Sequence, residues 1–206
     1  MSAIPTPTDE RLNNGAFSAA GKRLHTPHQA LGPYYPVGKA PILTSDLTIV
    51  VARQRRAQGQ VIEVEGHVLN RSGEAVQGAR LIIWQANSFG RYAHPNDPGC
   101  APSDPNFIGF AETISDNHGA YRFKTVKPGI YGAGSDEGRP PHIHFEVHGK
   151  FERLITQMYF PGEPLNIKDR FLMSARQRDL LIATAASKTD RDGHRAFTFD
   201  IVLIRG

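Results

Sequence analysis

The stretch Arg139-Pro140-Pro141-His142-Ile143-His144-Phe145-Glu146-Val147-His148 constrains the fold more than any other part of this sequence. His142, His144, Glu146 and His148 alternate with Ile143, Phe145 and Val147, the two-residue period of a β-strand with one apolar face. Pro140 and Pro141 hold the chain extended and fix where the strand begins. Histidines two apart on a strand point the same way, so the imidazoles of His142 and His144 can converge on one metal ion. That pattern alone fits a metal site and a packed strand equally well.

Similar short strands recur from Asp46 onward, separated by turn residues. Residues 47–51 form an apolar run. Within 61–69, Ile62, Val64, Gly66 and Val68 face one way, and Glu63, Glu65 and His67 the other. Residues 80–84, 108–114, 121–126, 154–160 and 197–203 complete the set, and Phe197, Phe199, Ile201 and Leu203 share one face of the last. The turns carry Asn70-Arg71-Ser72-Gly73 and Asp116-Asn117-His118-Gly119, and the chain holds 20 glycines and 15 prolines spread along its length. This spacing predicts an all-β fold, an antiparallel β-sandwich with long loops. One helix is expected, over residues 175–185 with Ser174 as its N-cap. Residues 1–30 are polar and without periodicity; they read as an N-terminal arm or loose extension, with a neighbouring subunit as one surface that could order it. Residues 31–206 form the sandwich domain.

Composition narrows the function classes. A single cysteine, Cys100, excludes a disulfide framework within the chain. No run reaches the ~18 apolar residues of a membrane span, and no basic-then-apolar leader opens the sequence, so a soluble, cytoplasmic protein is expected, with no membrane partner. With 24 basic and 20 acidic residues the net charge is +4. The one tight basic cluster, Arg53-Gln54-Arg55-Arg56, reads as a solvated turn between strands, so no nucleic-acid partner is expected. A mild positive balance favours anionic small molecules.

Two tyrosines strengthen the metal reading of the His-x-His strand: Tyr92 in Gly90-Arg91-Tyr92-Ala93-His94-Pro95-Asn96-Asp97, and Tyr131 in Pro128-Gly129-Ile130-Tyr131. A phenolate is a hard anionic donor that suits ferric iron better than softer ions. On its own, a Pro-Gly-aromatic corner such as that of Tyr131 is more often a packing device. His94 reads as a loop hydrogen-bonding group and His118 as a turn residue. Glu146 stands one step past His144, about 6.6 Å along the strand, which disfavours it as a third ligand.

Together, Trp84-Gln85-Ala86-Asn87, the Tyr92 loop, Asp104-Pro105-Asn106-Phe107, Lys127-Pro128-Gly129-Ile130-Tyr131, the His142 strand and Arg153-Leu154-Ile155-Thr156-Gln157-Met158-Tyr159-Phe160 resemble the intradiol ring-cleavage dioxygenases. The resemblance runs over roughly residues 30 to 205, and the iron-bearing β subunits of protocatechuate 3,4-dioxygenases are its nearest branch. It implies a transthyretin-like sandwich and one non-haem Fe³⁺ per chain, held by Tyr92, Tyr131, His142 and His144. It also implies O₂-dependent cleavage of a catecholic ring, of protocatechuate or a related substituted catechol, to a cis,cis-muconate. By the same resemblance Tyr131 leaves the metal as substrate binds, Arg139 stands over the ring, Gln157 orients it, and Trp84 and Tyr34 lie near the substrate. For Arg139 the alternative is a surface pair with Asp136 or Glu137. The partners implied are the catechol, O₂, and either further copies of the chain or an α-type subunit. Two departures stand out. The catechol and hydroxyquinol branches carry an added helical segment ahead of the sandwich that is not evident here. The loop 132–138 is short and has no aromatic residue, which implies an altered pocket wall and broader tolerance for substituted catechols. The competing reading is a non-catalytic transthyretin-like binding or assembly module.

Overall fold

Each polar turn closes a strand whose apolar face meets a second sheet. The computed structural model describes residues 21–36, 38, 42–132, 138–189 and 192–206. Ten strands appear among them: β1 (Ile42–Leu43), β2 (Val61–Asn70), β3 (Arg80–Trp84), β4 (Phe110–Ile114), β5 (Ala120–Val126), β6 (His142–His148), β7 (Arg153–Tyr159), β8 (Thr184–Thr189), β9 (Arg195–Thr198) and β10 (Ile201–Leu203). One sheet has the order β1-β4-β3-β6-β7. In the other, β2 pairs with β5 along one edge and with β9 and β10 along the other, and β8 lies beyond β9.

The alternation expected in β2 holds: Ile62, Val64 and Val68 are fully buried, facing the first sheet. They meet Leu81, Ile83, Ile143, Phe145, Val147 and Leu154 in one core. Aromatic rings bridge it, with Phe145 lying 6.0 Å from Phe123 and 5.4 Å from Phe199 between ring centroids. Gly66 is required where β2 passes the end of β9, because a Cβ there would stand 2.0 Å from the Phe199 carbonyl oxygen. Tyr121 closes the same corner by donating its hydroxyl to that oxygen at 2.5 Å.

Most pairings are antiparallel, as expected, with β1–β4, β2–β9 and β2–β10 parallel. Three expectations need correction. The run 197–203 is two strands, interrupted at Phe199-Asp200, where Asp200 turns its carboxylate to the His67 backbone N–H at 2.9 Å. Residues 47–51 are not a strand: the Asp46 carboxylate accepts from the Thr48 N–H and hydroxyl, which curls the chain, leaving Leu47 buried and Val51 99% exposed. The α-helix is not at 175–185. It is α1 (Arg170–Ser174), capped by the Asp169 carboxylate, and Ser174 is its last residue. Residues 175–185 instead hold a 3₁₀ turn (Arg178–Leu181) and the start of β8. There Ala183 N–H bonds the Tyr159 carbonyl, so pairing beside β7 overrides the helix propensity of an Ala- and Leu-rich run.

The described part of the arm lies on this chain's own sandwich. Gln29 N–H donates to Ile155 O along the free edge of β7, and Thr26 N–H to Val202 O. Leu31, Tyr34 and Tyr35 then cross the outer face of the first sheet, packing on Ile82, Trp84 and Tyr92. Among the described residues no helix is long and apolar enough to cross a membrane. Of the basic cluster, Arg53, Arg55 and Arg56 are exposed. Arg56 stands 3.3 Å from Asp46.

Candidate metal centre

Strand register sets the site. On the outer face of the first sheet Trp84, His144 and Gln157 are direct neighbours across β3, β6 and β7, with His142 and Tyr159 forming the adjoining pair. Two loops bring the tyrosines over this face. The Tyr92 loop is tied by Asn87, whose side-chain oxygen accepts from the N–H groups of Phe89 and Arg91, and by Asp97, which accepts from Tyr92 N–H at 2.7 Å. Gly90 lets this loop touch the corner carrying Tyr131: a Cβ there would lie 2.1 Å from Ile130 O. Tyr131 is in turn bridged to Arg139, whose N–H donates to Tyr131 O at 2.8 Å.

The outcome is a convergence of three donor atoms. Tyr92 Oη lies 3.1 Å from His142 Nε2 and 3.1 Å from His144 Nε2, all three residues being buried. Pro140 O can only accept, so its 2.7 Å contact places the hydrogen of His142 on Nδ1 and leaves Nε2 with its lone pair facing the centre. His144 Nδ1 is buried without a hydrogen-bond partner, so its only polar engagement is also through Nε2. The three atoms stand close enough together for one cation to engage all of them. Tyr131 completes the ring of donors, 5.6 Å from Tyr92 between centroids, its hydroxyl bonded to that of Tyr34. Among the described residues no three His, Cys, Asp or Glu side chains converge as a metal group. The donor set is imidazole and phenol, which fits a hard, highly charged ion such as Fe³⁺.

Electrostatics keep the imidazoles neutral, as ligands must be. Burial, then the charge of Arg139, pushes His142 down to about 3, and burial, then His142 and Arg139, holds His144 well below its ordinary value. Burial raises the Tyr92 phenol, with Arg139 acting against it. In this environment a phenolate needs a neighbouring cation.

Arg139 is held from behind. Its Nε donates to Asp169 Oδ2 at 2.7 Å, and its Nη2 to Gln157 Oε1 at 2.8 Å and Tyr159 Oη at 2.9 Å. Nη1 is directed at the centre, 3.2 Å from His142 Nε2. Arg139 is therefore no surface pair, its side chain being 17% exposed and its partner Asp169 1% exposed. Asp136 and Glu137 lie outside the described residues. Gln157 Nε2 donates to Ala30 O, fixing the side chain between the covering segment and Arg139.

A cavity of about 830 Å³ opens above these groups, lined by Tyr34, Tyr92, Tyr131, Arg139, Gln157 and Phe171 among others. Trp84 does not line it; its indole stacks on His144 at 4.8 Å and 15°. Gly32 seats the covering segment on His144, where a Cβ would lie 3.3 Å from its ring. His94 makes the expected loop bond, accepting from Asn96 N–H. Glu146 is turned away from the centre toward Arg153 and His148, at 2.6 and 2.8 Å. Cys100 is exposed. Sequence reasoning missed Tyr159 and Asp169. Tyr159 was readable as the residue two beyond Gln157 on the same strand face; Asp169 had only the signal of an acidic residue before a helix.

Comparison with known proteins agrees with this geometry. A family model described as "Dioxygenase" matches residues 31–205. The chain is 40% identical over 178 residues to the protocatechuate 3,4-dioxygenase beta chain of Burkholderia cepacia, covering 83% of this chain and 76% of that one. It is 29% identical to the protocatechuate 3,4-dioxygenase alpha chain of Pseudomonas putida, covering 85% and 90%. It spans 56%, 65% and 52% of the length of three catechol 1,2-dioxygenases from Acinetobacter and Candida. Among solved structures, the dioxygenase domain of a carbohydrate-binding fusion protein from Streptomyces sp. SirexAA-E superposes with a TM-score of 0.67 at 26% identity, covering 88% of this chain and 99% of that one. A two-sheet sandwich, two imidazoles facing a buried tyrosine, and these matches lead to one assignment: the chain belongs to the intradiol ring-cleavage dioxygenases.

Proposed function

We propose that this chain is a non-haem ferric intradiol dioxygenase whose substrate is protocatechuate or a related catechol with an anionic ring substituent. Tyr92, Tyr131, His142 and His144 would hold the iron. The observation that carries the reading is the placement of Tyr92 Oη within 3.1 Å of both imidazole Nε2 atoms at the floor of a substrate-sized cavity. Ferric iron bound there supplies Lewis-acid activation of the catecholate toward O₂, both of whose atoms enter the cis,cis-muconate product as the bond between the two hydroxylated carbons breaks.

The chain's own residues supply the rest. A catechol that binds through both oxygens loses two protons; Tyr131, as the phenolate it would be when holding iron, would take one and solvent at the site the other. In the position the structure gives it, the Tyr131 hydroxyl is hydrogen-bonded to that of Tyr34. Arg139 presents Nη1 toward the reacting ring and stabilises the negative charge that develops there. Gln157 and Tyr159 keep it in place, and Trp84 holds His144 by stacking. The cations Lys168 and Arg170 line the cavity, while Asp169 between them is engaged by Arg139. That charge arrangement favours a carboxylate on the ring. An α-type partner subunit, or further copies of this chain, would complete the mouth; residues 133–137 of the adjoining loop lie outside the described residues.

The test is direct. Freshly purified protein should hold one iron per chain, show the burgundy tyrosinate-to-iron absorption, and take up oxygen faster with protocatechuate than with catechol or hydroxyquinol. Stoichiometric zinc with no visible band would overturn the metal assignment. A preference for neutral catechols would overturn the substrate class alone.

A further inference from the structure

Arg139 reaches the centre from a bridge-forming segment, and its direction is set by one carboxylate that serves two elements. Asp169 Oδ2 accepts from Arg139 Nε at 2.7 Å, while Oδ1 accepts from Tyr159 Oη at 3.0 Å and from Leu172 N–H at 2.8 Å, the last being the cap of α1. Two residues on, Phe171 lies 4.5 Å from the guanidinium carbon and lines the cavity. Burial acts to raise the Asp169 pKa, but the Arg139 bond and charge outweigh it and hold the carboxyl below its usual range. The carboxylate is thus ionised, buried and shared between α1 and Arg139.

We propose that Asp169 is a positioning residue for ring cleavage, fixing the guanidinium plane so that Nη1 faces the substrate and linking that orientation to the docking of α1. The inference rests on the role of Arg139 proposed above. A guanidinium offers five N–H groups in one plane. With Nε fixed by Asp169 and Nη2 by Gln157 and Tyr159, only Nη1 is left for the centre. Without the carboxylate, two neutral acceptors on Nη2 remain. The plane can then turn about that one edge, and the buried positive charge loses its partner. A cap alone does not explain the arrangement, since asparagine or serine caps a helix as well as aspartate does.

Asp169→Asn separates the two roles, because it keeps the shape and a capping oxygen but removes the charge. The measurements are iron content, visible spectrum, melting temperature, and turnover of protocatechuate in wild type, D169N, R139L and the double variant. D169N should keep iron and colour while turnover falls by ~10²-fold, the scale of a misplaced catalytic group. In the R139L background the same change should cost less than about twofold, the signature of residues acting through one another. Equal losses in both backgrounds, or a D169N enzyme within about twofold of wild type beside an impaired R139L, would overturn the link. An R139L enzyme with full activity would instead overturn the role of Arg139, and the inference with it. Should D169N fail to fold, Tyr159→Phe reads the same link through the hydroxyl that braces both groups: a loss confined to the Arg139 background supports it, and equal loss in R139L refutes it.

Discussion

Strands β5 and β6 carry the same alternation of apolar and polar residues and end in different surroundings. In β5, Tyr121, Phe123 and Val126 enter the core while Arg122 is exposed to water. In β6, Ile143, Phe145 and Val147 enter the same core, yet His142, His144 and Glu146 on the opposite face are buried as well. The difference lies in what crosses each outer face. The outer face of β5 is open at Arg122, whose side chain is 63% exposed and stands 3.6 Å from both Glu63 and Glu65. Over β6 lie the 31–36 segment, the two tyrosine loops and α1. An outer sheet face becomes chemistry when loops exclude water from it, because burial suppresses charge on the imidazoles and strengthens every remaining polar contact.

The comparison breaks most visibly at His142. His142→Ala should abolish iron binding and turnover, since one of four proposed protein ligands is lost. Metal analysis of the purified variant checks it, and retained iron with normal colour would exclude His142 as a ligand. Its neighbour on the inner face sharpens the contrast. Phe145→Ala should cost about 3–5 kcal/mol of stability through the cavity it leaves. Denaturant unfolding of the iron-free protein measures that loss independently of the metal.

Next in size is Arg139→Leu, which should keep iron and colour and reduce turnover by ~10²–10³-fold, the cost of losing a stabilising donor. Tyr131→Phe should come next, at ~10²-fold, because a proton acceptor is missing. Tyr92 and both histidines should still hold iron, with the visible band shifted by the loss of one charge-transfer donor. Unchanged turnover with a shifted band would show that Tyr131 is a ligand without being the base.

Legibility in the sequence followed the same division. Strand periodicity revealed the sandwich, and register then placed Trp84, His144 and Gln157 in one row. Tyr92, Tyr131, His142 and His144 stood out only as a set, through the family resemblance, since the Pro-Gly-aromatic corner of Tyr131 alone reads as packing. Contacts made across long separations were not legible. The cap of α1 serves Arg139 from 30 residues away, and nothing near Asp169 in sequence announces a cation. Residues 175–185 have helical composition, and only the edge beside Tyr159 explains why residues 182–185 are extended. Likewise the alternation of residues 61–69 and 142–148 looks alike until the covering segment is in place.

The smallest effect is expected on the uncovered face. Arg122→Ala removes a guanidinium whose side chain is 63% exposed and whose contacts with Glu63 and Glu65 are 3.6 Å, longer than hydrogen bonds. Solvent screens such pairs, and ordering a long side chain offsets most of the attraction. Stability should change by ~0–1 kcal/mol, with the loss shrinking as salt is added, and turnover should stay at the wild-type level. Glu63 sharpens the expectation, since its side chain is only 10% exposed. A part of the change should therefore persist at high salt, where pairs at the open surface no longer contribute. A loss of several kcal/mol, or any loss of iron, would mean that the outer face of β5 is covered in the working protein, and the contrast with β6 would fail.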